Sequence, residues 1–322
     1  MFPHDLTKKK IVIIGQGAMG LLCYHHLQQA HNAVLLMDST LRSKQLSQAP
    51  KSLTTHYSFT AYQTETAKNY PLSYAQSHEL TQAELLILSV KSYQIASVIK
   101  AVTALIKPNC LVLLAHNGMG TLAEVKHLLP AQQRILAMLT THASLRHSPL
   151  KLSHTGLGHT DLGLLAGNMT ATEIDELVFL LGQAMPTVSF STDITKKQWL
   201  KLAINCVINP ITALNDIENG QVSLTKFTTL KAQLIDEVMS VAKAEAIDFT
   251  QVELTQKLEK VVEATAKNSS SMRCDMLAHR QTEVDYINGY IHYLGVKHSI
   301  KTPQNTALWQ AIKQKETQKN RA

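Results

Sequence analysis

The stretch KLAINCVINPITALNDIENG, residues 201 to 220, sets one lysine and four asparagines in an otherwise largely apolar segment. On a helix, Lys201, Asn205 and Asn209 recur every four residues and share one stripe, while Leu202, Ala203, Cys206, Val207 and Ile208 cover the other faces. A helix that is apolar on most sides is buried. The stripe then lies inside the protein, where amides need hydrogen-bond partners and an unpaired ammonium is costly. A polar ligand is one group that would satisfy them. Pro210 removes a backbone donor and biases Asn209 away from helical dihedrals, so a kink or break is expected there, opening polar groups to a pocket.

A second chemical signature stands near the N-terminus, in KKKIVIIGQGAMGLLCYHHLQQA. The β-branched run Ile11 to Ile14 suits a strand buried on both faces of a parallel sheet, and Leu21, Leu22, Tyr24 and Leu27 follow at helical spacing. Between them Gly15, Gly17 and Gly20 spell GxGxxG: the first permits a tight turn, the second lets backbone approach a pyrophosphate, and the third allows close helix packing. The helix N-terminus then faces the phosphates. Gly15, Gln16, Gly17, Ala18, Met19 and Gly20 are therefore the candidate dinucleotide-binding turn; the plain alternative is a glycine turn without a ligand.

These sites need elements to hold them. Further strands are expected at Ala33 to Met37, Leu85 to Val90, Cys110 to Ala115 and Arg134 to Leu139, alternating with helical or turn-like sequence, which argues for a doubly wound, Rossmann-like α/β domain. Ligand-binding residues of such sheets gather at the C-terminal strand ends. KSYQ, HNGMG and TTHAS follow the third, fourth and fifth strands, which sets Lys91, Asn117 and His142 near the cofactor crevice. His159 to Ala166 and Thr187 to Phe190 read as added strands, with an antiparallel course open, closing the edge. After Asp193 the strand pattern gives way to helices: Thr195 to Ile208 and its continuation, Thr225 to Ala246, Val252 to Ala266, Asp275 to Gly295 and Pro303 to Lys319. The expected organisation is a nucleotide-binding domain over 1–192 and an all-α domain over 193–322. In the second polar concentration, residues 268 to 291, Ser271 is expected to cap the following helix and Glu283 and Asp285 stand among apolar residues.

Composition narrows the class. With 45% hydrophobic and 17% charged residues over 322 positions, the chain suits two globular domains. No run of about eighteen apolar residues suggests a membrane span, and the glycines interrupt the N-terminal apolar run before a signal peptide would be complete. Four scattered cysteines lack metal spacing, so no metal site is expected and reduced thiols in a cytoplasmic protein are the simplest reading. A net charge of +7 is spread along the chain with only 5% aromatics, which favours anionic small molecules over nucleic acid. Most of the 15 histidines, including His25 and His26, are expected to be surface or core residues.

Taken in order, GQGAMG, HNGMGT, TTHAS, WLKLAINCVINPITAL, ENG, SSM and TEVDYINGYI resemble the ketopantoate reductase family (2-dehydropantoate 2-reductase) across nearly the whole chain. The resemblance implies reduction of ketopantoate to pantoate with NADPH, for pantothenate synthesis, by a monomer or homodimer. It also implies roles: Lys201 as catalytic lysine, Glu283 as its acidic partner, Asn205, Asn209, Asn219 and Ser271 as substrate-binding residues, and Lys91 and Asn117 in the cofactor and active-site cleft. Reduction of a carbonyl develops alkoxide character that needs a proton donor or cation, and a lysine supplies both. Burial would lower its pKa while Glu283 would hold it up. One departure concerns the cofactor: where the family presents an arginine for the 2′-phosphate, this chain has Asp38 and Ser39. An acid there favours the ribose of NAD, although Arg42 or Lys44 could reach a phosphate. Family precedent keeps NADPH ahead and leaves NAD open. The rival readings are a paralogous reductase of another 2-oxo acid or an opine-like substrate, and a silent nucleotide sensor, which would lack the lysine or the glutamate. Because the glycine turn and the lysine stripe fall in different domains, domain closure is expected.

Overall fold

The computed structural model describes residues 9–31, 34–37 and 55–319. The chain divides into two compact units, one of residues 1–116 and 121–194, the other of residues 117–120 and 195–322. Asp38, Ser39, Arg42, Lys44 and the first residue of the expected Ala33 to Met37 strand lie outside the described residues.

The first unit runs β1 (Ile11–Ile14), α1 (Ala18–Ala30), β2 (Val34–Met37), β3 (Thr55–Thr60), β4 (Ala67–Leu72), α2 (Ser77–Leu80), β5 (Leu85–Leu88), α3 (Ser92–Val102), β6 (Leu111–Leu114), α4 (Thr121–Val125), β7 (Ile135–Thr140), β8 (Ala143–Ser148), β9 (Lys151–Gly156), β10 (Thr160–Ala166), α5 (Ala171–Gly182) and β11 (Val188–Phe190). Seven strands form the main sheet in the order β11-β10-β7-β6-β5-β1-β2. The five from β7 to β2 are parallel, built from short apolar runs such as IVII and LLIL that are buried on both faces. β10 joins antiparallel to β7, and β11 then pairs parallel to β10, closing that edge.

The strand order reverses at β1, because the chain goes first to β2 on one side and later to β5 on the other. A crevice opens at such a switch point, outside the carboxyl ends of the strands. Gly15 leaves β1 there, with its N–H donating to Met37 O at 3.0 Å, and Ser89 N–H donates to Ile14 O at 2.9 Å. A second, four-stranded sheet, β4-β3-β9-β8, was not anticipated. Its strands, such as ASLRHS, are short and few of their residues are buried, so they carry no apolar run to announce them.

The helical unit contains α6 (Ile194–Asn215), α7 (Thr228–Ala244), α8 (Gln251–Ala264), α9 (Ser271–Leu277), α10 (Asn288–Lys297) and α11 (Pro303–Lys319). Its core gathers Trp199, Cys206, Val207, Leu234, Val238, Val284 and Ile291. No helix among the described residues is long and apolar enough to cross a membrane.

Three local expectations are corrected. α6 does not break at Pro210 but continues through it to Asn215. Proline lacks the N–H that would bond the carbonyl four residues back. The buried Asn288 amide replaces it, donating to Cys206 O at 2.9 Å. The expected helix from Asp275 to Gly295 is two helices, α9 and α10, joined through a single 3-10 turn, Val284–Tyr286. Residues 279 to 284 are diverted: His279 is left-handed (φ 52°), Arg280 N–H bonds Asp275 O, and Thr282 N–H bonds the Glu316 carboxylate. The cap of α9 is Ser270, whose hydroxyl accepts from Arg273 N at 3.0 Å, with Ser271 one position inside the helix.

Candidate functional site

The glycine turn occupies the end of β1. Gly15 is left-handed (φ 119°), and a Cβ on it would lie 2.2 Å from Ser89 O; one on Gly20 would lie 2.0 Å from Gly15 O. Those two glycines serve the packing of β1, β5 and α1. Gly17 differs, because among the described residues a Cβ there would meet nothing nearer than Ser89 O at 3.9 Å. Its freedom from neighbours keeps one side of the turn clear. Gly17 is also the N-cap of α1 and provides no side-chain cap, and the first turn holds no acidic residue. Among the described residues, the N–H groups that open α1 are thus presented without a side-chain cap, the arrangement that suits a phosphate. Lys91 follows β5 and opens α3, with its N–H donating to Gln94 Oε1 at 3.1 Å.

HNGMG leaves β6 and joins the other unit. Met119 N–H donates to Tyr286 O at 2.9 Å, and Gly118 (φ 80°) sits so close that a Cβ would meet that same oxygen at 2.4 Å. Asn117 therefore belongs to the unit that carries Glu283, two residues before Met119, whose partner Tyr286 donates its own N–H to Glu283 O at 3.0 Å.

Along α6, Lys201 and Asn205 are half-buried and Asn209 is buried. Burial pulls the Lys201 ammonium below the ordinary lysine value, while the Glu283 carboxylate pulls it back up. Glu283 is itself buried at 4% exposure, so its charge acts through protein more than through water. The side chains of Asn205 and Asn209 make no hydrogen bond to other described residues. Thr212, one turn on, donates to Ile208 O at 2.7 Å and pairs with Ser270 Oγ at 2.7 Å, which fastens the start of α9, and Ser271 with it, to the Asn209 turn. Asn219 stands apart from these contacts: its amide donates to Thr265 Oγ1 at 3.1 Å, and its buried Oδ1 has no partner among the described residues. Asn215 caps the end of α6 by donating to Ile211 O at 2.8 Å.

His142 is drawn inward rather than left at a strand end. Its Nδ1 lies 3.3 Å from His154 Nε2 and accepts from Gly158 N at 3.2 Å. His25 and His26 complete a buried aromatic cluster, and burial pushes their pKa values down to about 3 and about 4, so these rings are neutral packing groups. No group of three or more His, Cys, Asp or Glu among the described residues could hold a metal ion. Two polar residues to which the sequence assigned no role also emerge: Asn288, within TEVDYINGYI, which repairs α6, and Arg146 on β8, which donates to Gln16 O at 2.9 Å. In sequence an arginine in LRHSP carries no signal of that contact.

The family model for the C-terminal part of ketopantoate reductase PanE/ApbA matches residues 193–316, and that for ketopantoate reductase PanE/ApbA matches residues 11–167. The chain belongs to the ketopantoate reductase family. The 2-dehydropantoate 2-reductase of Vibrio cholerae is 33% identical over 305 residues, 94% of this chain and 96% of that one. The enzyme of the same name from Yersinia pestis is 36% identical over 239 residues, 74% and 76% of the two chains. Among solved structures, D-mandelate dehydrogenase with NADH and anilino(oxo)acetate superposes with a TM-score of 0.85 at 25% identity, over 97% of this chain and 99% of that one. A ketopantoate reductase of Ralstonia eutropha JMP134 superposes at 0.82 with 22% identity, over 97% and 99%, a likeness of fold. The family shares this fold of a parallel sheet followed by helices, and its members are oxidoreductases.

Proposed function

We propose that this ketopantoate reductase family member reduces 2-dehydropantoate to (R)-pantoate with NADPH. The observation that carries the reading is Lys201, an ammonium on a largely buried helix, lowered by burial and held up by Glu283, on one stripe with two asparagine amides that other described residues leave unbonded. The glycine turn fits a dinucleotide, since among the described residues Gly17 keeps its outer side clear and the N–H groups opening α1 have no side-chain cap. Gly15, Gln16, Gly17, Ala18, Met19 and Gly20 would hold its diphosphate, and Lys91 and Asn117 are the further residues assigned to the cofactor. The nicotinamide, when bound, supplies a hydride to the C2 carbonyl carbon.

The protein's own part is a proton and a grip. Lys201 Nζ donates a proton to the carbonyl oxygen as negative charge develops there, and Glu283 orients Lys201 and the substrate hydroxyl. A lysine at its ordinary pKa is a reluctant acid near neutrality; the downward pull of burial improves it, and Glu283 keeps it protonated. Asn205, Asn209, Asn219 and the Ser271 hydroxyl present donors to the carboxylate and hydroxyl of the substrate.

Initial rates of NADPH and NADH oxidation with ketopantoate test substrate and cofactor together. Lys201→Ala is expected to lower kcat by about 10²-fold or more with NADPH affinity nearly intact. A variant that turns over normally would remove Lys201 from the chemistry. NADPH is the reading of family precedent, and the second reading is NADH with another 2-oxo acid or an opine-like substrate. It is favoured by the likeness to D-mandelate dehydrogenase bound to NADH and by Asp38 in the sequence. A panel of 2-oxo acids with both cofactors separates the two.

A further inference from the structure

β8 of the second sheet lies along α1, and its contacts march in register with the helix. Arg146 and Ser144 stand two residues apart on β8, and His142 comes just before the strand, across a shift of register between Ala143 and Ser144. They meet the glycine turn and α1 in reverse order. Arg146 Nη1 donates to Gln16 O at 2.9 Å, Ser144 Oγ donates to Met19 Sδ at 3.3 Å, and His142 pairs with His154, whose ring centroid lies 5.2 Å from that of His26. Met19 and His26, seven residues apart, share one face of α1, and Gln16 lies in the turn just before the helix. These contacts hold β8 beside α1, with Arg146 at the phosphate end of the helix.

We infer that Arg146 is a further cofactor-binding residue, its guanidinium holding the diphosphate of a dinucleotide at the glycine turn; this rests on the nucleotide reading above. A guanidinium has five N–H donors in a planar fork, and the bond to Gln16 O uses one of them. Arg146 is exposed and makes no ion pair with other described residues. Its charge is therefore not neutralised by a neighbouring carboxylate among them, while its position is fixed by the turn. The need is electrostatic: a helix N-terminus presents only about half a positive charge, and a dinucleotide diphosphate carries two negative ones. The anchoring atom lies inside GQGAMG, the diphosphate end of such a site, whereas the ribose is read beyond β2. The diphosphate, common to NADH and NADPH, is accordingly the group Arg146 meets.

Direct binding tests this without turnover. The quenching of protein fluorescence or the enhancement of NAD(P)H fluorescence gives Kd for wild type, Arg146→Gln and Arg146→Lys, with each cofactor. The expected result is a loss of about tenfold for both NADH and NADPH in Arg146→Gln, a smaller loss in Arg146→Lys, and a shallower dependence of log Kd on log salt in the glutamine variant. Far-UV circular dichroism and the unfolding midpoint, unchanged in Arg146→Lys and Arg146→Gln, separate this from misfolding; if the glutamine variant does not fold, the lysine variant carries the test with a loss of severalfold. Unchanged Kd values overturn the inference, and so does a loss confined to NADPH, which would assign the residue to the 2′-phosphate. If the wild type binds neither cofactor, the nucleotide reading itself fails; if the wild type binds and Arg146→Gln binds as well, only the role of Arg146 does.

Discussion

The junction of Pro210 and Asn288 permits a prediction worked from single hydrogen bonds. Asn288 is fully buried, and its amide donates to Cys206 O at 2.9 Å and to Asn305 Oδ1 at 3.0 Å, while its own Oδ1 has no partner among the described residues. Asn288→Ala strips a donor from two buried acceptors and removes one already unpaired acceptor. The balance is one more orphaned acceptor, which costs about 1–3 kcal/mol. In a Pro210→Ala background the new N–H of residue 210 reaches Cys206 O along the helix, so Asn288→Ala then orphans one acceptor and removes one. The expected cost falls to about zero before the lost side-chain volume, which enters both backgrounds equally and cancels in the coupling. A double-mutant cycle should thus give a coupling of about 1–3 kcal/mol. Both tryptophans of the chain, Trp199 and Trp309, lie in the helical unit, so urea unfolding followed by tryptophan fluorescence reports on that unit. Additivity within about 0.3–0.5 kcal/mol would refute the substitution of a side-chain amide for the missing backbone donor.

Two further outcomes follow from the site. On the proposed mechanism reduction needs Lys201 protonated, so kcat is expected to fall as pH rises through its pKa, which burial sets below the ordinary lysine value and Glu283 raises. Glu283→Gln removes the raising charge, so the alkaline limb of the kcat profile is expected at lower pH than in the wild type; an unmoved limb would uncouple the pair. Gly17→Ala, with no atom nearer than 3.9 Å to the added Cβ, should leave the unfolding midpoint by circular dichroism nearly unchanged while weakening NADPH binding about tenfold. Gly20→Ala, whose Cβ would lie 2.0 Å from Gly15 O, should instead lower stability by about 1–3 kcal/mol or more; equal effects of the two variants on binding and stability would contradict the division of labour.

Much of this protein is legible in local sequence. Four-residue apolar runs buried on both faces identify β1, β5 and β6 because a parallel strand needs no polar face, and GQGAMG between a strand and a helix marks the turn because only glycine tolerates those approaches. The stripe of Lys201, Asn205 and Asn209 is visible because helix periodicity alone aligns it. What lies between distant segments is not written in any window. The second sheet joins β3 to β9 across some ninety residues through short polar strands, and only that pairing brings β8 and Arg146 to Gln16. Pro210 reads locally as a break, yet α6 continues because Asn288, 78 residues further on, supplies the donor that proline lacks. The helix expected from Asp275 to Gly295 fails for a like reason: Glu316 of α11 captures the backbone of Thr282 and helps turn the chain toward Glu283. Residue types and their periods determined the strands, the glycine turn and the chemistry of the lysine stripe, since those depend on neighbours in the chain. The partners that tune Lys201, mend α6 and carry Arg146 to the turn were decided by tertiary structure, since burial and hydrogen bonding are satisfied by whichever segment folding brings near.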